Sequence, residues 1–150
     1  MSRILSFRGL IEDGGIDTVP LQTNKGLIGY KIVELQIMPK TPGVGDVDHI
    51  VQVFSIPQSA ASATVNFSAQ QLLGAAFFRQ DANYVDITGR MGSAVIFDNV
   101  TFNQDIYVTL KNARGNAVPC NYLIKLEQMK LDLSEQTVAT LKDIRNIGTQ

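Results

Sequence analysis

The chain has 150 residues, of which 45% are hydrophobic and only 18% are charged, below the roughly 25% charged residues typical of soluble domains. Its 13 basic and 14 acidic residues give a formal net charge of −1, which excludes a strong positive field that would attract nucleic acid. Cys120 has no second cysteine to pair with, and no apolar run predicts a membrane span or a secretory signal. We therefore expect one domain over residues 1–150, made in the cytoplasm, with neither nucleic acid nor membrane as a partner.

The first half of the chain shows short runs of β-branched and aromatic residues separated by turn residues, which is typical of strands. The first run is RILSFRGLI, close to the start of the sequence. The next, at 27–38, predicts a half-buried strand with Val33, Leu35 and Ile37 on one face, ended by Pro39. Residues 40–48 predict an exposed loop, and HIVQVFSI after it predicts another strand.

In the middle of the chain, Ser68 is a plausible N-cap, and the segment AQQLLGAAFF after it predicts one short internal helix that Gly74 interrupts. Further strands are predicted at 84–88, 93–98, 104–111 and 121–131. In the third of these, alternation places Ile106, Val108 and Leu110 on one face. Residues 112–119 predict a turn.

The end of the chain changes to helical periodicity. After Ser134, a natural N-cap, Val138, Leu141 and Ile144 recur at three-residue steps, which predicts an amphipathic helix over residues 134–147. A helix of about four turns is marginal alone in water, so its apolar stripe must dock on the rest of the domain or on a neighbouring subunit. The predicted fold class is mainly β: an antiparallel β-sandwich or jelly-roll-like body of about seven or eight strands, with one short internal helix and this C-terminal helix.

Few residues suggest chemistry. Asp46 and Asp48 beside His49 could hold a divalent cation, but the spacing does not follow an EF-hand loop, and a solvated loop mouth is the favoured interpretation. Cys120 lacks a nucleophile signature and is better explained as a small buried hydrophobe. The glycine pairs at 43–45 and 89–92 lack the context of a phosphate-binding loop and predict turns. We predict no catalytic residue, no cofactor and no assigned metal ligand, and hence not an enzyme.

Two segments carry a resemblance to a known class of proteins. They are RMGSAVIFDNVTFNQDIYVTLKN at 90–112 and CNYLIKLEQMKLDLSEQTVATLKDIRN at 120–146. There the chain resembles small virion structural proteins of tailed bacteriophages, particularly those of marine and cyanobacterial hosts. The resemblance is strongest in the C-terminal third.

The resemblance implies a virion subunit made in the host cytoplasm. It would act as a capsid decoration or cement protein that binds the major capsid protein or other virion subunits as a trimer or dimer. The alternative is a tail or neck protein, or a receptor-binding module whose loops at 40–48 and 112–119 contact the host surface. The predicted docking elements are the N-terminal strand and the C-terminal helix, each with an apolar stripe. Their candidate interaction residues are Ile4, Leu5, Phe7, Val138, Leu141 and Ile144.

Overall fold

The fold is mainly β, with all of its described strands antiparallel. A computed structural model of the chain describes residues 3–21, 28–81, 90–97 and 101–130. The strands in this part of the chain are β1 (Arg3–Ile11), β2 (Ile16–Val19), β3 (Ile28–Pro39), β4 (Val47–Phe54), β5 (Leu72–Gln80), β6 (Arg90–Ile96), β7 (Ile106–Asn112) and β8 (Cys120–Lys130). These ranges contain no helix, and so none that could cross a membrane.

Eight described strands form two sheets. The small sheet has the order β1-β8-β3, and the large sheet has the order β2-β7-β4-β5-β6. Side chains from both sheets form one hydrophobic core, for example Leu35 and Leu126 from the small sheet with Val51 and Leu110 from the large one. Burial of these side chains is the main force holding the sheets together.

The alternation predicted for the 104–111 segment is confirmed, because Ile106, Val108 and Leu110 of β7 are fully buried. The prediction for β3 is wrong at one position. A register shift between Ile32 and Glu34 bulges the strand at Val33, whose side chain is 42% exposed, whereas Leu35 after the bulge is buried. A bulge adds one residue and so reverses the phase of the alternation, which a strict two-residue pattern cannot anticipate.

The predicted internal helix after Ser68 is wrong, because residues 72–80 form β5. β5 lies between β4 and β6 in the large sheet and pairs with both. Small residues are needed there: a Cβ on Gly74 would lie 3.2 Å from the carbonyl oxygen of Val95. Pairing on both sides thus overrides the helical propensity of its alanines and leucines.

Other predictions have mixed outcomes. β2 was not predicted, since four residues are too short for a clear pattern. The turn prediction fails at residues 90–92, which begin β6, but it holds at Gly43 and Gly45, whose φ angles are 82° and 78°. The predicted strand at 84–88 and the predicted C-terminal helix at 134–147 lie outside the described residues.

Candidate functional site

The aspartates beside His49 bind an arginine. Arg114 Nε lies 3.1 Å from Asp48 Oδ2, and its two terminal nitrogens lie 3.7 Å from Asp46 Oδ2 and 3.3 Å from Asp81 Oδ2. A guanidinium placed among three carboxylates supplies the positive charge that a bound cation would otherwise bring. Within the described ranges, no three His, Cys, Asp or Glu side chains are grouped so that they could hold a metal ion.

His49 does not join this cluster, because adjacent residues of a strand point to opposite faces of the sheet. Its ring is fully buried, and neither ring nitrogen makes a hydrogen bond. Burial lowers the pKa of His49 and outweighs the opposing effect of Asp13 and Asp48. The imidazole is therefore neutral and enclosed, and it is not placed to ligate a cation together with Asp46 and Asp48.

Cys120 is the first residue of β8 and is completely buried in the core. Burial raises the pKa of its thiol to about 12. A thiol that stays protonated and has no access to solvent is a poor nucleophile. The interpretation of Cys120 as a small buried hydrophobe is confirmed.

The loops around Arg114 are fixed by two buried amides, and we call this region the polar end. Gln80 accepts a hydrogen bond from Gly43 N at 2.7 Å and donates to the carbonyls of Val44 and Gly45 at 3.1 and 2.9 Å. Asn112 accepts hydrogen bonds from Asp48 N and Arg114 N and donates to Asn116. The loops at 40–48 and 112–119 are also joined directly, since Asn116 Nδ2 donates to Asp46 O at 2.6 Å.

The outer face of the large sheet carries an apolar groove. Segment 58–67 crosses this face, because Gln52 Nε2 donates hydrogen bonds to the carbonyls of Ser62 and Thr64 at 3.0 and 3.1 Å. Between the segment and the sheet lies a groove of about 350 Å³, which we call the outer groove. It is lined by Ile50, Ala63, Val65, Phe67, Ala75, Ala76, Phe77, Ser93 and Val95.

Four large apolar side chains of the outer groove are partly open to solvent. Phe67 is 57% exposed, and Val65, Phe77 and Val95 are each 37–39% exposed. Phe67 is held by an edge-to-face contact with Phe97, with ring centroids 5.2 Å apart. An apolar, fixed and concave surface of this kind can bind a partner by burial of apolar area.

The small sheet also has an outer face, which combines apolar and charged rows. Lys125 Nζ lies 3.1 Å from Glu34 Oε2, and Lys31 Nζ lies 3.8 Å from Glu127 Oε2, so two ion pairs link β3 to β8. At the end of the sheet near Met38, a shallow cavity of about 550 Å³ opens. It is lined by Arg8, Gly9, Gln36, Ile37, Met38, Asn121, Tyr122 and Leu123.

The predicted interaction residues of the N-terminal strand lie in β1. Ile4 is 55% exposed on the outer face, whereas Leu5 and Phe7 are half-buried and pack against the core. Val138, Leu141 and Ile144 lie outside the described residues. The involvement of all six residues in docking stays a prediction.

Sequence reasoning did not find the outer groove. Val65 and Phe67 are separated by one residue, as on one side of an extended segment, but nothing in the sequence indicates that this segment crosses β4 and β5. Only Gln52, a polar residue in an otherwise apolar run, could have suggested a partner above the sheet.

Comparisons of the chain with protein-family models, with curated proteins and with solved structures found no match.

Proposed function

We propose that this chain is a non-enzymatic structural subunit of a tailed-bacteriophage virion, which decorates the head by binding the major capsid protein. The observation that carries the proposal is the outer groove, an apolar concave surface left open on a strand scaffold. The resemblance of residues 90–112 and 120–146 to small virion structural proteins names the class of partner.

The strand order favours a jelly roll as the finer description of the fold. In a jelly roll of eight strands, a long antiparallel ribbon is rolled up so that paired strands have numbers that add to nine. Here β1 pairs with β8, β2 with β7 and β4 with β5. The remaining pair, β3 and β6, lie in contact without a hydrogen-bonded ladder between them. Jelly rolls are common in viral capsid proteins, which agrees with the proposed role.

The outer groove suits an apolar side chain or short segment of a capsid subunit. Burial of apolar surface contributes roughly 25 cal/mol per Å², and aromatic side chains such as Phe67 and Phe77 are typical anchors of protein interfaces. Because Gln52 fixes the segment that forms one wall, little ordering is needed when a partner binds. Many copies on a shell would compensate for the modest size of each contact.

The proposal is tested first by measuring whether the chain is present in purified virions and in how many copies. Quantitative mass spectrometry of particles should find it in a fixed ratio to the major capsid protein, on the order of one copy per capsid subunit or per capsomer. Absence from the particle would overturn the proposal. A few copies per particle would assign the chain to the neck or tail instead of the head.

The groove itself is tested with purified chain added back to heads that lack it. The variant Phe67→Ser/Val95→Thr should lose most of its binding, since two apolar contacts are removed from exposed positions. The matched control is Val44→Ser, which removes a 66% exposed apolar side chain in the loop at 40–48. Equal binding by the groove variant and wild type would show that another surface contacts the head.

A receptor-binding role is the second candidate, and it is favoured by the proximity of two loops. Segments 40–48 and 112–119, far apart in sequence, are joined by the hydrogen bond from Asn116 to Asp46 and by Arg114. Such paired loops on a rigid body are a common recognition surface. Binding of the isolated chain to a glycan array, lost in Asn116→Ala, would favour this role; silence there together with binding to heads would favour the first.

A further inference from the structure

β1 is a long, regular edge strand. Its nine residues pair with β8 without a bulge, from Arg3 opposite Gln128 to Ile11 opposite Cys120. On its other side, β1 has no hydrogen-bonded neighbour among the described strands. It contains neither a proline nor a bulge, two features that commonly keep an edge from pairing with another chain, and its charged side chains are Arg3 and Arg8.

The other edge of the same sheet is protected. β3 is bulged at Val33, and its Tyr30 exchanges backbone hydrogen bonds of 2.7 and 2.9 Å with Phe102. The large sheet has two edge strands: β2 has only four residues and is followed by Pro20, and β6 has seven residues. β1 is longer than β2 and β6 and, unlike β3, has no bulge, so it is the edge best suited to receive a further strand.

The pattern of β1 is symmetric about Phe7. An antiparallel copy centred on Phe7 would place Ile4 opposite Leu10 and Ser6 opposite Arg8 on the outer face. Ile4 is 55% exposed and Leu10 is 42% exposed, so the two most exposed apolar side chains of the strand would cover each other, twice by symmetry. Arg8 would face serine and not another arginine, so no like charges would be directly opposed.

The inner face of β1 fits the same register. Phe7, half-buried against its own core, would meet Phe7 of the second copy. Leu5 would face Gly9, where a Cβ would come within 2.8 Å of the hydroxyl of Tyr122 and would have to displace that ring. A register centred on Ser6 instead would place Ile4 opposite Arg8 and leave Leu10 uncovered.

We propose that β1 is a self-association edge, through which two copies of this chain pair antiparallel about Phe7 to form one continuous sheet of six strands, β3-β8-β1-β1-β8-β3. Pairing of nine residues would supply roughly one main-chain hydrogen bond per residue pair, with the Ile4–Leu10 contacts fixing the register. The dimer would be the unit that presents two outer grooves. Self-association does not depend on which partner fills those grooves.

The test is the mass of the full chain in solution, measured by sedimentation velocity over a range of concentrations. Wild type should be a dimer. Ile4→Lys/Leu10→Lys places like charges opposite each other at both ends of the pairing and should raise the dimer dissociation constant by at least about tenfold. Ile4→Lys/Leu10→Glu places opposite charges at the same two sites and should restore the dimer.

The matched control is Val33→Lys/Met38→Lys, on the opposite edge of the same sheet. These side chains are 42% and 56% exposed, nearly the same as Leu10 and Ile4, and the change in net charge is the same. The control should remain dimeric, and circular dichroism should show all variants folded. A monomeric wild type, a Lys/Lys variant that dimerises as well as wild type, a Lys/Glu variant that stays monomeric, or a control that dissociates would each overturn the proposal.

Discussion

The polar end and the outer groove lie on the same large sheet but differ in the side chains they carry: the polar end buries polar side chains, whereas the outer groove exposes apolar ones. At the polar end, the side chains of Gln80 and Asn112 are almost completely buried and make hydrogen bonds to backbone atoms of the loops. In the outer groove, Phe67 and Val95 are apolar and remain partly open to solvent. The contrast suggests that the first region holds the fold together, whereas the second is left available for a partner.

The largest effect is expected from Asn112→Ala at the polar end. Removing this side chain leaves the backbone N–H groups of Asp48 and Arg114 without their acceptor, in a partly buried site. We expect the free energy of unfolding to fall by about 3 kcal/mol, measured by urea denaturation. The control Asn121→Ala, on the exposed outer face of β8, should change it by less than about 0.5 kcal/mol. Equal effects of the two variants would contradict the role assigned to Asn112.

A smaller effect is expected at Gln52, which supports the outer groove. This side chain is 2% exposed and fixes the segment that forms one wall of the outer groove. Gln52→Leu keeps the volume but removes two hydrogen bonds, so the free energy of unfolding should fall by about 1–2 kcal/mol. Limited proteolysis within residues 58–67 should become faster, whereas Gln36→Leu on exposed β3 should leave the cleavage rate unchanged. Unchanged cleavage in Gln52→Leu would show that other contacts hold the segment.

The sequence alone was enough to predict the regular strands, but not the segments whose structure depends on pairing with strands distant in the sequence. In β7 the alternation holds on the core side, so the buried side chains of Ile106, Val108 and Leu110 were predicted from the sequence. β5 has the composition of a helix and is a strand only because β4 and β6 flank it, a fact that is not local in the sequence. Val33 is a second example, because the bulge at this residue places its side chain on the exposed face and not on the predicted buried face.

The edge strand β1 and the outer groove differ in whether the sequence reveals them. Ile4 was predicted as an interaction residue because the N-terminal strand carries an apolar stripe, and its exposure agrees with that prediction without testing it. The outer groove was missed because it arises where segment 58–67 crosses strands distant in sequence. At the polar end, Asp46, Asp48 and His49 lie close in sequence, which suggested ligands for a metal ion. In the structure, His49 points into the core, and Arg114 from the loop at 112–119 pairs with the two aspartates.

Acidification should destabilise the fold through His49, which is buried in the core and neutral. Its pKa is lowered from 6.5 in the folded chain, so as pH falls below about 6.5 the unfolded chain binds a proton that the folded chain does not. The free energy of unfolding is therefore unaffected by His49 above that pH and falls below it, by at most about 0.8 kcal/mol at pH 6. Urea denaturation across this range should show the loss in wild type and not in His49→Phe. Parallel curves for the two proteins would contradict the lowered pKa.

The smallest effect on stability is expected in the outer groove, from Val65→Thr/Val95→Thr. Both side chains are 39% exposed, so the new hydroxyls can reach water, and each change should alter the free energy of unfolding by less than about 0.5 kcal/mol. The same substitution in the interior, Val51→Thr, buries a hydroxyl at a fully buried position and should cost about 2 kcal/mol. If the groove variant proves as destabilising as Val51→Thr, these valines belong to the supporting core, and the outer groove is part of the fold. If its stability is unchanged while its binding to heads weakens, stability and recognition are separate properties of the two faces of one sheet.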